Sequence, residues 1–98
     1  MAAYVIVDIE VTDPGTYERY KQLAAPAVAA FGGRYLARGG RALTLEGEWA
    51  PSRLVILEFP TLERAQQWLG SPEYREARGL RHAAARSRMV AVEGVAGI

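Results

Sequence analysis

Between Ala3 and Val11 the chain reads AYVIVDIEV, with Val5, Val7, Ile9 and Val11 on one parity and Tyr4, Ile6, Asp8 and Glu10 on the other. Dense β-branched residues with a period of two define a strand with one dry face. Such a face has to be covered by another layer. A chain of 98 residues buries only about two-thirds of its unfolded surface, so residues 1–98 form one domain with a modest core.

Helical signals supply the covering layer. Asp13 and Pro14 form an N-cap and first-turn proline, and Tyr17, Tyr20, Leu23, Ala24, Ala27, Val28 and Phe31 follow at helical spacing until Gly32-Gly33. Pro26 lies inside this pattern and removes one backbone bond, so a kink or restart is expected near Ala25. Thr61 caps a second helix bearing Leu62, Ala65, Trp68 and Leu69. Ser71-Pro72 caps a third, PEYREARGLRHAAA, with Tyr74, Ala77, Leu80 and Ala84 as its apolar positions.

The intervening extended segments are Arg34 to Arg38, a return strand at Ala42 to Glu46 after two glycines, RLVILEF from Arg53 to Phe59, and a closing SRMVAVEG. The order strand, helix, strand, strand, helix pair, strand is an α+β, ferredoxin-like split βαββαβ sandwich on a four-stranded antiparallel sheet. Its helices cover one sheet face. A second copy would cover the other most simply, giving a homodimer through the open sheet face.

Charge narrows the partners. Eleven acids oppose twelve basic residues, eleven of them arginine, for a net charge of +1, so no global field favours nucleic acid or an anionic membrane. There is no cysteine, which removes disulfides, thiolate nucleophiles and thiolate metal sites. No apolar run approaches the roughly 20 residues of a membrane span, and the N-terminus lacks a basic leader, so a cytoplasmic protein is expected.

In order, the blocks VTDPGTYERYKQLAAP, FGGRYLARGG, LEGEW, RLVILEFPTLERAQQWLGSPEYREA and VEG resemble the domain of unknown function family 1330, over Tyr4 to Gly94. The resemblance implies a dimeric α/β barrel in which two sheets face each other. It implies no activity. Similar barrels include cofactor-free monooxygenases, haem-binding enzymes and simple binding or regulatory domains, so the fold does not choose among them.

The strongest site candidate gathers Arg38, Glu46, Trp49, Arg53 and Glu58 with Asp8 from the first strand. Asp8 and Glu58 share strand faces with apolar residues, where a carboxylate is costly unless paired, and an arginine fork is its natural partner. Two readings follow. Either Arg38 or Arg53 holds a small acidic or aromatic ligand against Trp49 or Trp68, with Asp8 or Glu58 as proton acceptor, or these charges close into a network that fixes register or dimer contact. Whether the protein is an enzyme stays open between them.

Other constellations are thinner. His82, the only histidine, could act as a base or ligate a metal or haem, but among Arg78, Arg81 and Arg86 it reads first as a solvated helix residue. No metal site and no cofactor are expected. The stripe Arg75, Arg78, His82 and Arg86 is diluted by Glu73 and Glu76 and lacks the aromatic interleaving of a single-strand binder. Tyr17, Tyr20, Trp68 and Tyr74 are core or interface first, with Tyr20 and Tyr74 able to present hydroxyls to a cleft.

Overall fold

A computed structural model describes residues 1–95. β1 (Ala3–Val11) leads into α1 (Pro14–Ala30), then β2 (Arg34–Arg38), β3 (Leu54–Phe59), α2 (Leu62–Leu69), α3 (Pro72–Ala84) and β4 (Ala85–Glu93). The strands form one antiparallel sheet in the order β2-β3-β1-β4. This is the ferredoxin-like α+β fold that the alternation of strand and helix patterns requires.

Parity decides which face each residue takes. Val5, Val7 and Ile9 of β1 and Val55, Leu57 and Phe59 of β3 are buried toward the helices, while Ile6, Asp8, Ile56 and Glu58 are half-buried on the other face. Trp68, Tyr74, Phe59, Ile9 and Val28 are the largest fully buried side chains, so the core lies between sheet and helices. Trp68 sits at its centre, with its ring 5.1 Å from Phe59 and 4.4 Å from Tyr74. The turn from α1 to β2 packs so closely on the core that a side chain at Gly33 would meet Phe59 of β3 at 2.6 Å and Val28 of α1 at 2.8 Å.

All three helices start at their expected caps. Asp13, Thr61 and Ser71 each accept a bond from the backbone three residues on. Ser71 also donates to the Trp68 carbonyl at 2.8 Å, which locks α2 to α3. α1, however, does not restart at Pro26. Both Pro26 and Gln22, whose carbonyl loses its partner, are exposed, so water can take the place of the missing bond.

Ala42–Glu46 is not a strand, which corrects the expected return strand. The free sheet edges belong to β2 and β4, and the segment pairs with neither. It forms a loop instead, closed where the Thr44 hydroxyl donates to the Trp49 carbonyl at 2.6 Å. Leu43 and Leu45 are 71% and 90% exposed, so this stretch gains no burial that would repay an extended pairing.

The last irregularity is a β-bulge. Tyr35 pairs with Leu57 and Ala37 with Ile56, so Leu36 is inserted between them. An inserted residue exchanges the two faces beyond it. Arg34 therefore stands opposite Glu58 on the open face, whereas Arg38 stands opposite Val55 on the helix side.

Candidate functional site

The bulge divides the expected constellation in two. On the open face, Asp8 and Glu58 are each satisfied by the residue that register places across from them. Arg34 Nε donates to Glu58 Oε1 at 2.6 Å, and Arg88 donates to Asp8 Oδ2 at 3.2 Å. The same Asp8 oxygen accepts from the Trp49 indole Nε1 at 2.9 Å. That indole bond, with Arg88 beside it, holds the Asp8 carboxyl below its usual range against the opposing effect of burial.

Around this cluster lies an open groove of about 330 Å³, bordered by Ile6, Asp8, Glu48, Trp49, Arg88 and Val90. Glu46 does not join it: the side chain is exposed and, among the described residues, makes no hydrogen bond or ion pair. Asp8 and Glu58 thus come together with arginines, but not with Arg38 or Arg53.

Those two arginines lie on the helix side, where no carboxylate is within ion-pair distance among the described residues. Arg53 Nε donates to the Tyr17 hydroxyl at 3.2 Å, and its guanidinium lies 5.4 Å from the Tyr17 ring centre. Gly39, at φ 72°, leaves the space that the guanidinium fills. Arg38 lies 4.3 Å over the Tyr35 ring and donates to the Lys21 carbonyl at 3.3 Å. It is exposed at the edge of a cavity of about 20 Å³, whose walls include Tyr17, Tyr20, Tyr35, Leu57 and Trp68.

Two polar features mark this interior. The Trp68 indole N–H is buried without a partner while its ring lines the cavity. Beside it the Tyr20 and Tyr74 hydroxyls share one hydrogen bond of 2.8 Å. Burial first, and then the neighbouring Tyr74, pushes the Tyr20 phenol far above its ordinary range. Burial raises Tyr74 and Tyr35 too, opposed by the Tyr20 bond and Arg81 at Tyr74 and by Arg38 at Tyr35. At neutral pH these phenols donate hydrogen bonds and take up no proton.

His82 is apart from both clusters. It is exposed on α3 with Nε2 3.4 Å from Arg81, and burial, then Arg81 and Arg78, lower its pKa. Among the described residues no three His, Cys, Asp or Glu side chains gather into a metal-binding group, and no helix is long and apolar enough to cross a membrane.

Sequence reasoning missed Arg34 and Arg88 as the partners of the acids, and Tyr35 as a cavity wall. It also missed the burial of Arg81. The last had a signal, because Arg81 lies seven residues after Tyr74 and three before Ala84, on the stripe that faces the sheet.

A two-layer α+β domain with one uncovered antiparallel face and an aromatic cavity beneath its helices is a ferredoxin-like protein. The chain belongs to the family described as Domain of unknown function (DUF1330), whose model matches residues 2–95. Among solved structures it is similar to a protein of unknown function from Rhodopseudomonas palustris, with a TM-score of 0.79 and 20% identity over 96% of this chain and 82% of that one. It is also similar to SnoaB, a cofactor-independent oxygenase from Streptomyces nogalater, with a TM-score of 0.69 and 15% identity over 96% and 93% of the two chains. A dimeric ferredoxin-like protein of unknown function from Jannaschia sp. CCS1 gives a TM-score of 0.65 and 17% identity over 96% and 100%. No curated protein matches significantly. At these identities the solved structures establish the fold alone.

Proposed function

We propose that the chain binds a small aromatic molecule carrying a hydrogen-bond acceptor, held between helices and sheet with Arg38 at the entrance. The observation that carries this reading is the Trp68 N–H, buried without a partner on a side chain that lines a cavity walled by tyrosines. A carboxylate or phenolate oxygen would supply the missing acceptor, and the aromatic walls would supply area. The closed cavity has room for about one water. Binding an aromatic ring therefore requires the wall itself to open, beginning at Arg38, which is exposed and held by one hydrogen bond to Lys21 and by the Tyr35 ring.

Catalysis of the SnoaB kind would place particular demands on the substrate. The cavity wall carries no carboxylate or histidine, and its phenols are poor proton acceptors. The substrate would have to ionise unaided, with the Arg38 charge stabilising its anion. Asp8 and Glu58, both engaged in ion pairs on the opposite face, serve structure in this reading.

A thermal-shift panel of phenols and aromatic acids tests the site on wild type, Arg38→Ala and Trp68→Phe. A ligand at about 100 times its Kd adds about 2.7 kcal/mol, which is roughly 10 °C or more in Tm for a domain of this size. The shift should shrink in both variants. No response of the wild type across the panel would refute binding, and equal shifts in all three proteins would place the ligand elsewhere.

The second part of the reading is assembly as a homodimer over the open sheet face. Val90 and Val92 are 59% and 51% exposed there, beside Ile6 and Ile56, and the Jannaschia relative is described as dimeric. Val90→Glu should sediment as a folded monomer where the wild type sediments as a dimer. A monomeric wild type would remove this part without touching the cavity.

A further inference from the structure

The groove between the end of α3 and the start of β4 has no role in the reading above. α3 ends at Ala84 and β4 begins at Ala85, so no loop separates them. The corner is fixed by the Thr12 and Asp13 backbone N–H groups, which donate to the Ala84 carbonyl at 2.7 and 3.0 Å. Arg81 lies just inside it and is only 4% exposed.

A guanidinium at that depth ordinarily has an anion beside it. Arg81 has none among the described residues. One terminal nitrogen donates to the Ser87 hydroxyl at 2.8 Å, another lies 3.4 Å from His82 Nε2, the neutral Tyr74 hydroxyl is beside the group, and its Nε–H is buried with no hydrogen-bond partner among the described residues. Arg81 also borders a groove of about 310 Å³, shared with Leu69 of α2, Arg78 and His82 of α3, and Ser87 and Met89 of β4. Three basic side chains from one helix thus meet a hydroxyl from the adjoining strand. No carboxylate lines the groove among the described residues.

From this geometry we infer that the groove is a binding site for a small oxyanion, a carboxylate or phosphate group, with Arg81 as its buried charge and Arg78, His82 and Ser87 completing the ring of donors. Planar guanidinium donors match both groups, and the buried position strengthens the attraction relative to a surface arginine. Of its lining the site shares only Met89 with the aromatic cavity.

His82 is the only histidine, so its ring signal in NMR is assigned without ambiguity and reports an anion bound beside it. The charged groups around it are Arg75, Arg78 and Arg81 of its own helix, while α2 and β4 contribute Leu69, Ser87 and Met89. The full chain is titrated with sodium phosphate and, separately, with sodium acetate, each against sodium chloride at matched ionic strength. Saturable binding is expected in at least one oxyanion arm, with the His82 pKa rising by about half a pH unit or more as a bound anion offsets the arginines. Arg81→Leu threatens the core, so Arg78→Ala, an exposed position, carries the mutational test and should weaken binding roughly tenfold.

Phosphate and acetate identify which oxyanion the groove takes, and saturation by either supports the site. Chloride reproducing the response, no saturation in either arm, or unchanged affinity in Arg78→Ala would overturn it.

Discussion

Replacing Tyr74 by Phe removes one oxygen from the contact between α1 and α3 and leaves the Tyr20 hydroxyl without its partner at 2.8 Å. Tyr74 is fully buried and Tyr20 half-buried. An unsatisfied buried hydroxyl costs about 1–3 kcal/mol, and partial access to water places Tyr74→Phe near the lower half, at about 1–2 kcal/mol. Tyr20→Phe should cost less, about 0.5–1 kcal/mol, because the Tyr74 hydroxyl it leaves behind still has Arg81 beside it. The double variant removes both polar atoms together, so it should be less destabilised than the sum by about 1 kcal/mol.

Urea denaturation followed by circular dichroism measures all three, and each kcal/mol corresponds to about 4–8 °C in Tm for a domain of this length. Strict additivity of the two single variants would show that the hydroxyls do not interact in the folded state. It would also remove the basis for the asymmetry.

Alkaline pH gives a second readout of the same pair. The unfolded chain ionises its tyrosines near 10, whereas burial keeps Tyr20, Tyr74 and Tyr35 protonated to higher pH in the fold. Above pH 10 the native state therefore holds more protons than the unfolded state, and stability falls as pH rises. Below 10 this contribution is fully present. The double variant retains only Tyr35 of the three, so its stability should decline less steeply between pH 10 and 11.

Ser71→Ala should cost about 1–2 kcal/mol in the same denaturation assay, since Ser71 both caps α3 and donates to the Trp68 carbonyl. Gly39→Ala should cost about 1–2 kcal/mol, because its backbone is left-handed and the added methyl displaces Arg53 from Tyr17. The displacement can be read separately as a change in the Tyr17 ring signals by NMR. Asp8 has its pKa lowered, so its stabilising interaction is present above the unfolded value and lost as pH falls through the folded one. The Trp49 indole N–H resonance should accordingly move with a midpoint below 3.8 in wild type and stay constant with pH in Asp8→Asn.

The fold was legible because its signals are local. Period-two alternation marked β1, a hydroxyl or carboxylate stood at each helix start, and glycines stood at the end of α1 and α2. The site was less legible because its geometry depends on register. Arg34 and Arg38 have the same parity in the sequence, and only the inserted Leu36 sends them to opposite faces. No turn residue or glycine announces that bulge. Arg88 likewise becomes the partner of Asp8 only once β4 pairs with β1 in a particular alignment. The loop at 42–46 misled for a different reason: Leu43 and Leu45 alternate as a strand would, but strand formation also needs a neighbour.

The bulge also separates matched from unmatched charge. On the open face Asp8 and Glu58 are each paired with the arginine opposite, so neither of these two carboxylates would be left bare against an apolar partner. On the helix side Arg38, Arg53 and Arg81 meet phenols, hydroxyls and carbonyls, all of which leave the positive charge uncancelled. A chain with net charge +1 thus concentrates unneutralised positive charge around the layer that contains its aromatic cavity. With a regular β2, Arg38 would join Glu58 on the open face and the cavity would lose the cation at its entrance. Inserting Leu36 costs one ladder position and leaves that cation where, in the proposed reading, an anionic aromatic molecule would meet it.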